Sequence, residues 1–196
     1  MKKRLLLASA SPRRRAMLAE LGWNFAAAAS EYEEIPAEGE TPEEMTLRFA
    51  LGKASDVFSR NRDAVVIAAD TTVVIDNEIL GKPKDEADAC RMLSILQGRK
   101  HTVMTAVAIF SAEHEPVAFV EKTDVFFRKL APEEIKSYVA AGESLDKAGA
   151  YAIQGHGMLL VEKIRGCYFN VVGLPIERLS KELAALGFSL KEQWGN

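Results

Sequence analysis

Three arginines stand side by side where a helix is expected to begin. Ser9-Ala10-Ser11-Pro12-Arg13-Arg14-Arg15 sets a capping serine and a first-turn proline ahead of three cations. The positive end of a helix dipole disfavours cations, so this departure from a local rule marks a candidate functional site. Free backbone N–H groups, serine hydroxyls and guanidinium forks together make a cradle for phosphate. A solvated basic turn is the competing reading of this segment alone.

The acids come next. Glu31, Glu33 and Glu34 fall in an expected loop, and Asp70 ends the apolar run 64–69 with Thr71 and Thr72 beside it. A carboxylate at the end of a buried strand is a common catalytic placement in α/β proteins. Such a group can accept a proton from an attacking water. A phosphate-bound divalent cation takes only one or two protein carboxylates and keeps several waters. The alternative is that Asp70 opens a turn and the glutamates face solvent.

Lys53, in the second expected helix, and Lys82, within Gly81-Lys82-Pro83, complete a charge set suited to a polyphosphate. Each alone reads as a surface lysine. The block Asp146-Lys147-Ala148-Gly149-Ala150-Tyr151-Ala152-Ile153-Gln154-Gly155-His156-Gly157 adds glycines that permit close backbone approach. Within it, Gln154 offers a donor and an acceptor to a base edge. His156 is a weak catalytic candidate and, with no cysteine or acid at a fixed offset, reads as a loop residue; His101 and His114 are read as bystanders. A Walker loop, a metal-histidine pair and a serine-nucleophile elbow are all absent from the sequence.

These residues need a scaffold. Strands are expected at 5–8, 25–29, 64–69, 73–75, 101–110, 117–127 and 158–164, with a turn at 76–78. Helices are expected from Ser11 to Gly22, from Thr41 to Phe58, and at 85–96, 132–140 and 175–186, with fraying after Phe188. The run 64–69 is apolar on both faces, as a strand covered on both sides would be. The strands at 101–110 and 117–127 are expected to pair antiparallel. Interleaved strands and helices give an α/β class with a mixed, twisted sheet flanked by helices. A single domain over 1–196 is expected, with two lobes around a central cleft as the alternative arrangement.

Composition narrows the function classes. Net charge is −3, which argues against nucleic-acid binding through a basic surface. The basic start followed by Leu5-Leu6-Leu7 is too short for a secretory signal, and no run approaches a membrane span. Cys90 and Cys167 have no metal-ligand spacing and read as free thiols. A cytoplasmic protein without membrane or nucleic-acid partners is expected.

Taken together the motifs resemble the Maf family of nucleotide pyrophosphatases, also called septum-formation inhibitor proteins. The resemblance rests on Leu-Ala-Ser-Ala-Ser-Pro-Arg-Arg at 7–14, Ala-Asp-Thr at 69–71, Gly-Lys-Pro at 81–83, Asp-Lys-Ala-Gly-Ala-Tyr-Ala-Ile-Gln-Gly at 146–155 and Val-Val-Gly-Leu-Pro at 171–175. It implies a cytoplasmic hydrolase, using Mg²⁺ or Mn²⁺, with a fold related to the inosine-triphosphate pyrophosphatases and a homodimeric state. It also implies Asp70 as proton acceptor, with Glu34 and Asp70 toward the metal. Ser9, Arg13, Arg14, Lys53 and Lys82 would bind phosphate, and Arg13, Thr71 and Gln154 would choose the base. The Ala-Asp-Thr and Ile-Gln-Gly versions resemble the subfamily acting on dTTP and UTP. Ala68 and Ala152 depart from the glycines that many members carry. The rival expectations are a pyrophosphatase for 7-methyl-GTP or non-standard purine triphosphates, and a nucleotide-binding regulator of cell division without turnover.

Overall fold

Apolar runs and capping signals become seven strands and seven α-helices over residues 4–194, the part of the chain described by the computed structural model. In chain order these are β1 (Arg4–Ala8), α1 (Pro12–Glu20), β2 (Phe25–Ala27), α2 (Pro42–Ser59), β3 (Ala64–Ile75), β4 (Glu78–Leu80) and α3 (Glu86–Leu96). They continue as β5 (Lys100–Phe110), β6 (Val117–Phe127), α4 (Pro132–Ala140), β7 (Val161–Arg165), α5 (Tyr168–Val172), α6 (Ile176–Ala185) and α7 (Leu190–Gln193). The strands hydrogen-bond in the order β2-β1-β3-β5-β6-β7, and β4 pairs with β3. β1 runs parallel to both β2 and β3, while β3–β4 and β6–β7 are antiparallel. The sheet is therefore mixed, as expected, and helices flank it. Among the described residues no helix is long and apolar enough to cross a membrane.

The chain divides into two compact units. One comprises the segments up to Asp70, Thr105–Val120 and from Gly173 onward; the other comprises Thr71–Met104 and Glu121–Val172. In the first, Leu6 and Ala8 of β1 and Ala64, Val66 and Ala68 of β3 share a core with Ala50, Ala54, Val57 and Phe58 of α2. α2 starts on a complete capping box, with the Thr41 hydroxyl accepting from the Glu44 N–H and the Glu44 carboxylate returning to the Thr41 N–H. In the second unit, Leu93 and Leu96 of α3, Val125 and Phe127 of β6, and Ile135 and Val139 of α4 pack with Tyr151 and Leu160.

Four local expectations change. β3 is one unbroken strand from Ala64 to Ile75, so Asp70 lies within it and neither ends a strand nor opens a turn. The turn is confined to Asp76 and Asn77, both at positive φ, and Glu78 already belongs to the returning strand β4. That is the geometry of a two-residue hairpin, which tolerates Asn and Asp. The apolar triplet Met158-Leu159-Leu160 is not a strand: 155–159 form a 3₁₀ turn, because Gly155 adopts φ +61. Beyond Phe188, a Ser-x-x-Glu capping box, Ser189 to Glu192, supports a short helix where fraying was expected.

Candidate active site

Alternate residues of a strand share a face. Asp70 therefore continues the face of Ala64, Val66 and Ala68, against which α2 packs. On α2, Lys53 falls in the stripe Ala50, Ala54, Val57, at helical spacing, so a lysine interrupts an apolar face. The two meet: Lys53 Nζ lies 2.7 Å from Asp70 Oδ1. The same ammonium lies 2.7 Å from Glu34 Oε1. Asp70 is 8% exposed and the Lys53 side chain 13%, so each is largely shielded from water and stabilised by the other. Register explains the placement: β1 follows β3 only to the pair Ala8–Ala68, and Asp70 stands two residues further on.

Glu34 is brought to Lys53 by a loop tied down at three points. The Glu31 N–H and Ser30 hydroxyl both donate to Asp56 on α2, at 2.8 and 2.9 Å. Tyr32 lies over Gly52, where any Cβ would overlap its ring. Arg48 donates to the Tyr32 hydroxyl, to the Ile35 carbonyl and to both carboxylate oxygens of Glu40. Sequence reasoning passed over Arg48, Gly52 and Asp56. Their signal was positional, since all three lie on α2 within five residues of Lys53.

The arginine turn forms as expected. Ser11 caps α1, its hydroxyl accepting from the Arg14 N–H, and all three arginines fall in the first turn. They do not act alike. The guanidinium of Arg15 turns back onto the Ala10 carbonyl. Arg14 donates from Nε to the Gly173 carbonyl at 2.7 Å, and from Nη1 to the Ala69 carbonyl at 2.8 Å and to Ser9 Oγ at 3.3 Å. Desolvation lowers the Arg14 pKa; Asp70 opposes the shift, Arg13 adds to it and Glu34 opposes it. Arg14 thus joins the end of β1, the residue before Asp70 and the turn at Gly173. Ser9 is buried beside it, and Arg13 is partly buried.

Glu34 and Asp70 converge on one cation position, held by Lys53. Among the described residues no cluster of three or more His, Cys, Asp or Glu could hold a metal. Two carboxylates fit a divalent ion that is completed by phosphate oxygens and water, and do not fit an all-protein cage.

Thr71, Lys82 and Gln154 belong to the second unit. Thr71 is partly buried, whereas Lys82 and Gln154 are exposed. The loop of Lys82 is tied to the glycine-rich block by the Gly149 N–H, which donates to the Gly81 carbonyl at 3.0 Å. Gly149 and the buried Ala150 both have positive φ, and a Cβ on Gly149 would press on Val73. Strained backbone of this kind concentrates at functional sites. Further along, the Ala152 N–H donates to the Tyr138 hydroxyl, and the Tyr151 hydroxyl lies 2.7 Å from His101 Nε2.

His101, read as a bystander, is a buried anchor of this block. It is 1% exposed, and burial pulls its imidazole down to about 4, with Asp124 opposing. An unfolded histidine titrates near 6.5, so as pH falls the unfolded chain takes up the proton first. The His101 contribution is complete above about pH 6.5 and is lost progressively as pH drops toward 4. Between pH 7 and pH 5 it should cost roughly 2 kcal/mol of stability. Denaturant titrations of the protein and of His101→Gln at both pH values measure this. Equal losses in the two proteins would rule out His101 as the source.

Residues 4–186 match the family described as Maf-like protein. The chain belongs to the Maf-like family. A dTTP/UTP pyrophosphatase of Clostridioides difficile (strain 630) is 47% identical over 97% of this chain and 98% of that protein. Relatives of the same description from Dictyoglomus turgidum and Methanosarcina barkeri are 46% and 44% identical, each over 97% of this chain. A solved HAM1 protein from Coxiella burnetii aligns over 93% of this chain and 99% of its own, with a TM-score of 0.50 and 15% identity, which shows a shared fold. In this Maf-like chain the Ala-Asp-Thr motif lies on β3, Gly-Lys-Pro on the loop after β4, and Gln154 just before the 3₁₀ turn 155–159.

Proposed function

We propose that this chain hydrolyses dTTP and UTP to the nucleoside monophosphate and pyrophosphate. The observation that carries the reading is the Glu34–Lys53–Asp70 group, a buried acid and a shielded ammonium beside a serine and arginine turn. The dTTP/UTP pyrophosphatase description of relatives at 44–47% identity over nearly the whole chain supports the same reaction.

In this mechanism Asp70 accepts a proton from a water whose oxygen attacks the α-phosphorus. The bond from that phosphorus to the β-phosphate oxygen breaks, and pyrophosphate leaves with the electron pair. Lys53 and Lys82 neutralise the departing charge, and Ser9 and Arg13 hold phosphate oxygens. Arg14, which bonds the Ala69 and Gly173 carbonyls and the Ser9 hydroxyl, holds the strand just before Asp70 beside the phosphate-binding turn. Arg13, Thr71 and Gln154 select the pyrimidine. A divalent cation such as Mg²⁺ or Mn²⁺, bound by Glu34 and Asp70 together with the phosphates, would supply Lewis-acid stabilisation of the phosphoryl charge.

The test is a panel of dTTP, UTP, dCTP, ITP and 7-methyl-GTP with purified protein and Mg²⁺, with products separated. Monophosphate and pyrophosphate from dTTP and UTP, at rates well above the other three, are the expected result. Release of inorganic phosphate would refute α–β cleavage. Preference for a purine would refute the base assignment. Tight nucleotide binding without turnover in any metal would favour a regulator instead.

A further inference from the structure

Gln154 is exposed, yet the backbone on either side of it is held. Before it, Ala152 is tied to Tyr138 and Tyr151 to His101, while Ile153 is buried. After it, the Glu143 side chain holds the backbone. The carboxylate of Glu143, in the turn that follows α4, accepts from the His156 backbone N–H at 3.1 Å. The same carboxylate accepts from the His156 ring, Nδ1 to Oε1 at 2.7 Å. Gly155, between Gln154 and His156, has φ +61, and a Cβ there would stand 2.7 and 2.8 Å from the two Glu143 oxygens. The backbone angle favours glycine, and a side chain there would push the Glu143 carboxylate aside.

Glu143 is 27% exposed in its side chain. Burial acts to raise its pKa, but the His156 N–H, the His156 ring and the Lys147 charge outweigh that and lower it. The acceptor is thus an ionised carboxylate, which makes stronger bonds than a neutral amide oxygen would.

We infer that Glu143 is a positioning residue for base selection, fixing the turn from Gln154 to His156 so that the Gln154 amide meets the nucleotide base in one orientation. The inference rests on the reading of Gln154 as a base-selecting residue. Glu143 acts through the His156 turn it holds, so its loss should weaken discrimination and leave the chemical step alone. A residue needed only for folding would lower the active fraction and scale every substrate equally.

The experiment measures kcat and KM for dTTP, UTP, dCTP and ITP with Glu143→Ala, Glu143→Gln, Gln154→Ala and the Glu143→Ala/Gln154→Ala double variant. Glu143→Ala should raise the KM for dTTP by roughly tenfold, keep kcat within about threefold, and lower the dTTP-over-ITP preference by a similar factor. Glu143→Gln, which keeps one acceptor oxygen but loses the charge, should fall between that and the unsubstituted protein. If Glu143 acts through Gln154, adding Glu143→Ala to Gln154→Ala should change selectivity no further. Uniform loss across all four nucleotides, or no loss, would overturn the inference. Additive selectivity losses in the double variant would overturn it as well. Should Glu143→Ala fail to fold, Glu143→Gln carries the same comparison. If Gln154→Ala leaves selectivity unchanged, the base-reading role of Gln154 fails. If Gln154→Ala alters selectivity while neither Glu143 variant does, only the Glu143 inference fails.

Discussion

Asp70→Asn should slow pyrophosphate release from dTTP by roughly 10²–10⁴-fold, the usual worth of a general base. The substitution is nearly isosteric, and an asparagine oxygen can still accept from Lys53 Nζ, which stays paired with Glu34. Folding should therefore change little, and thermal melting separates a chemical effect from a structural one. Initial rates at saturating dTTP and Mg²⁺ are the relevant measurement. A loss smaller than about tenfold would remove Asp70 from the proton-accepting role. The Glu34–Lys53 pair would then remain as a charge-binding element without an acid assigned to the water.

Gly157→Ala should destabilise the second unit strongly. A Cβ at this buried position would overlap the Ala152 carbonyl oxygen and approach the Tyr138 hydroxyl, which accepts from the Ala152 N–H. No side-chain rotation relieves a clash with backbone, so the turn carrying Gln154 must move. Overpacking of this sort costs about 3 kcal/mol. At this chain length that corresponds to roughly 6–12 °C in Tm. Gly142→Ala is the control: its φ is also left-handed, at +80, but nothing lies within 4 Å of its Cβ position. It should cost about 1 kcal/mol from backbone strain alone. A Gly157→Ala protein melting within two degrees or so of the parent would show that the close approach is not structurally required.

Most elements were legible because their signals are local. The capping box at Thr41, the proline behind Ser11 and the unbroken apolar run before Asp70 each act over a few residues, and each produced the element it announced. The misreadings arose at one glycine turn and where geometry depends on something distant in the chain. Met158 and Leu159 look like a strand, but the turn at Gly155 exposes both. Asp70 looked like a strand end because its charge interrupts an apolar run; Lys53, on another element, is what allows β3 to continue through it. Glu34 and Lys53 could be proposed from motifs, but their convergence on Asp70 follows from the packing of α2 on β3. Arg48, Gly52 and Glu143 went unnoticed because a supporting side chain has no composition of its own to mark it.

Arg14 reaches across the fold to two main-chain carbonyls, those of Ala69 and Gly173. A carbonyl is supplied by whatever residue occupies the position. The side chains at 69 and 173 can therefore drift, within the limits of space and backbone angle, without loosening the clamp. The reverse does not hold: a lysine at 14 has no planar fork to bridge two acceptors, and no change at 69 or 173 could compensate for it. A substitution survey of this region should find an intolerant cation at 14 whose carbonyl partners at 69 and 173 do not co-vary with it.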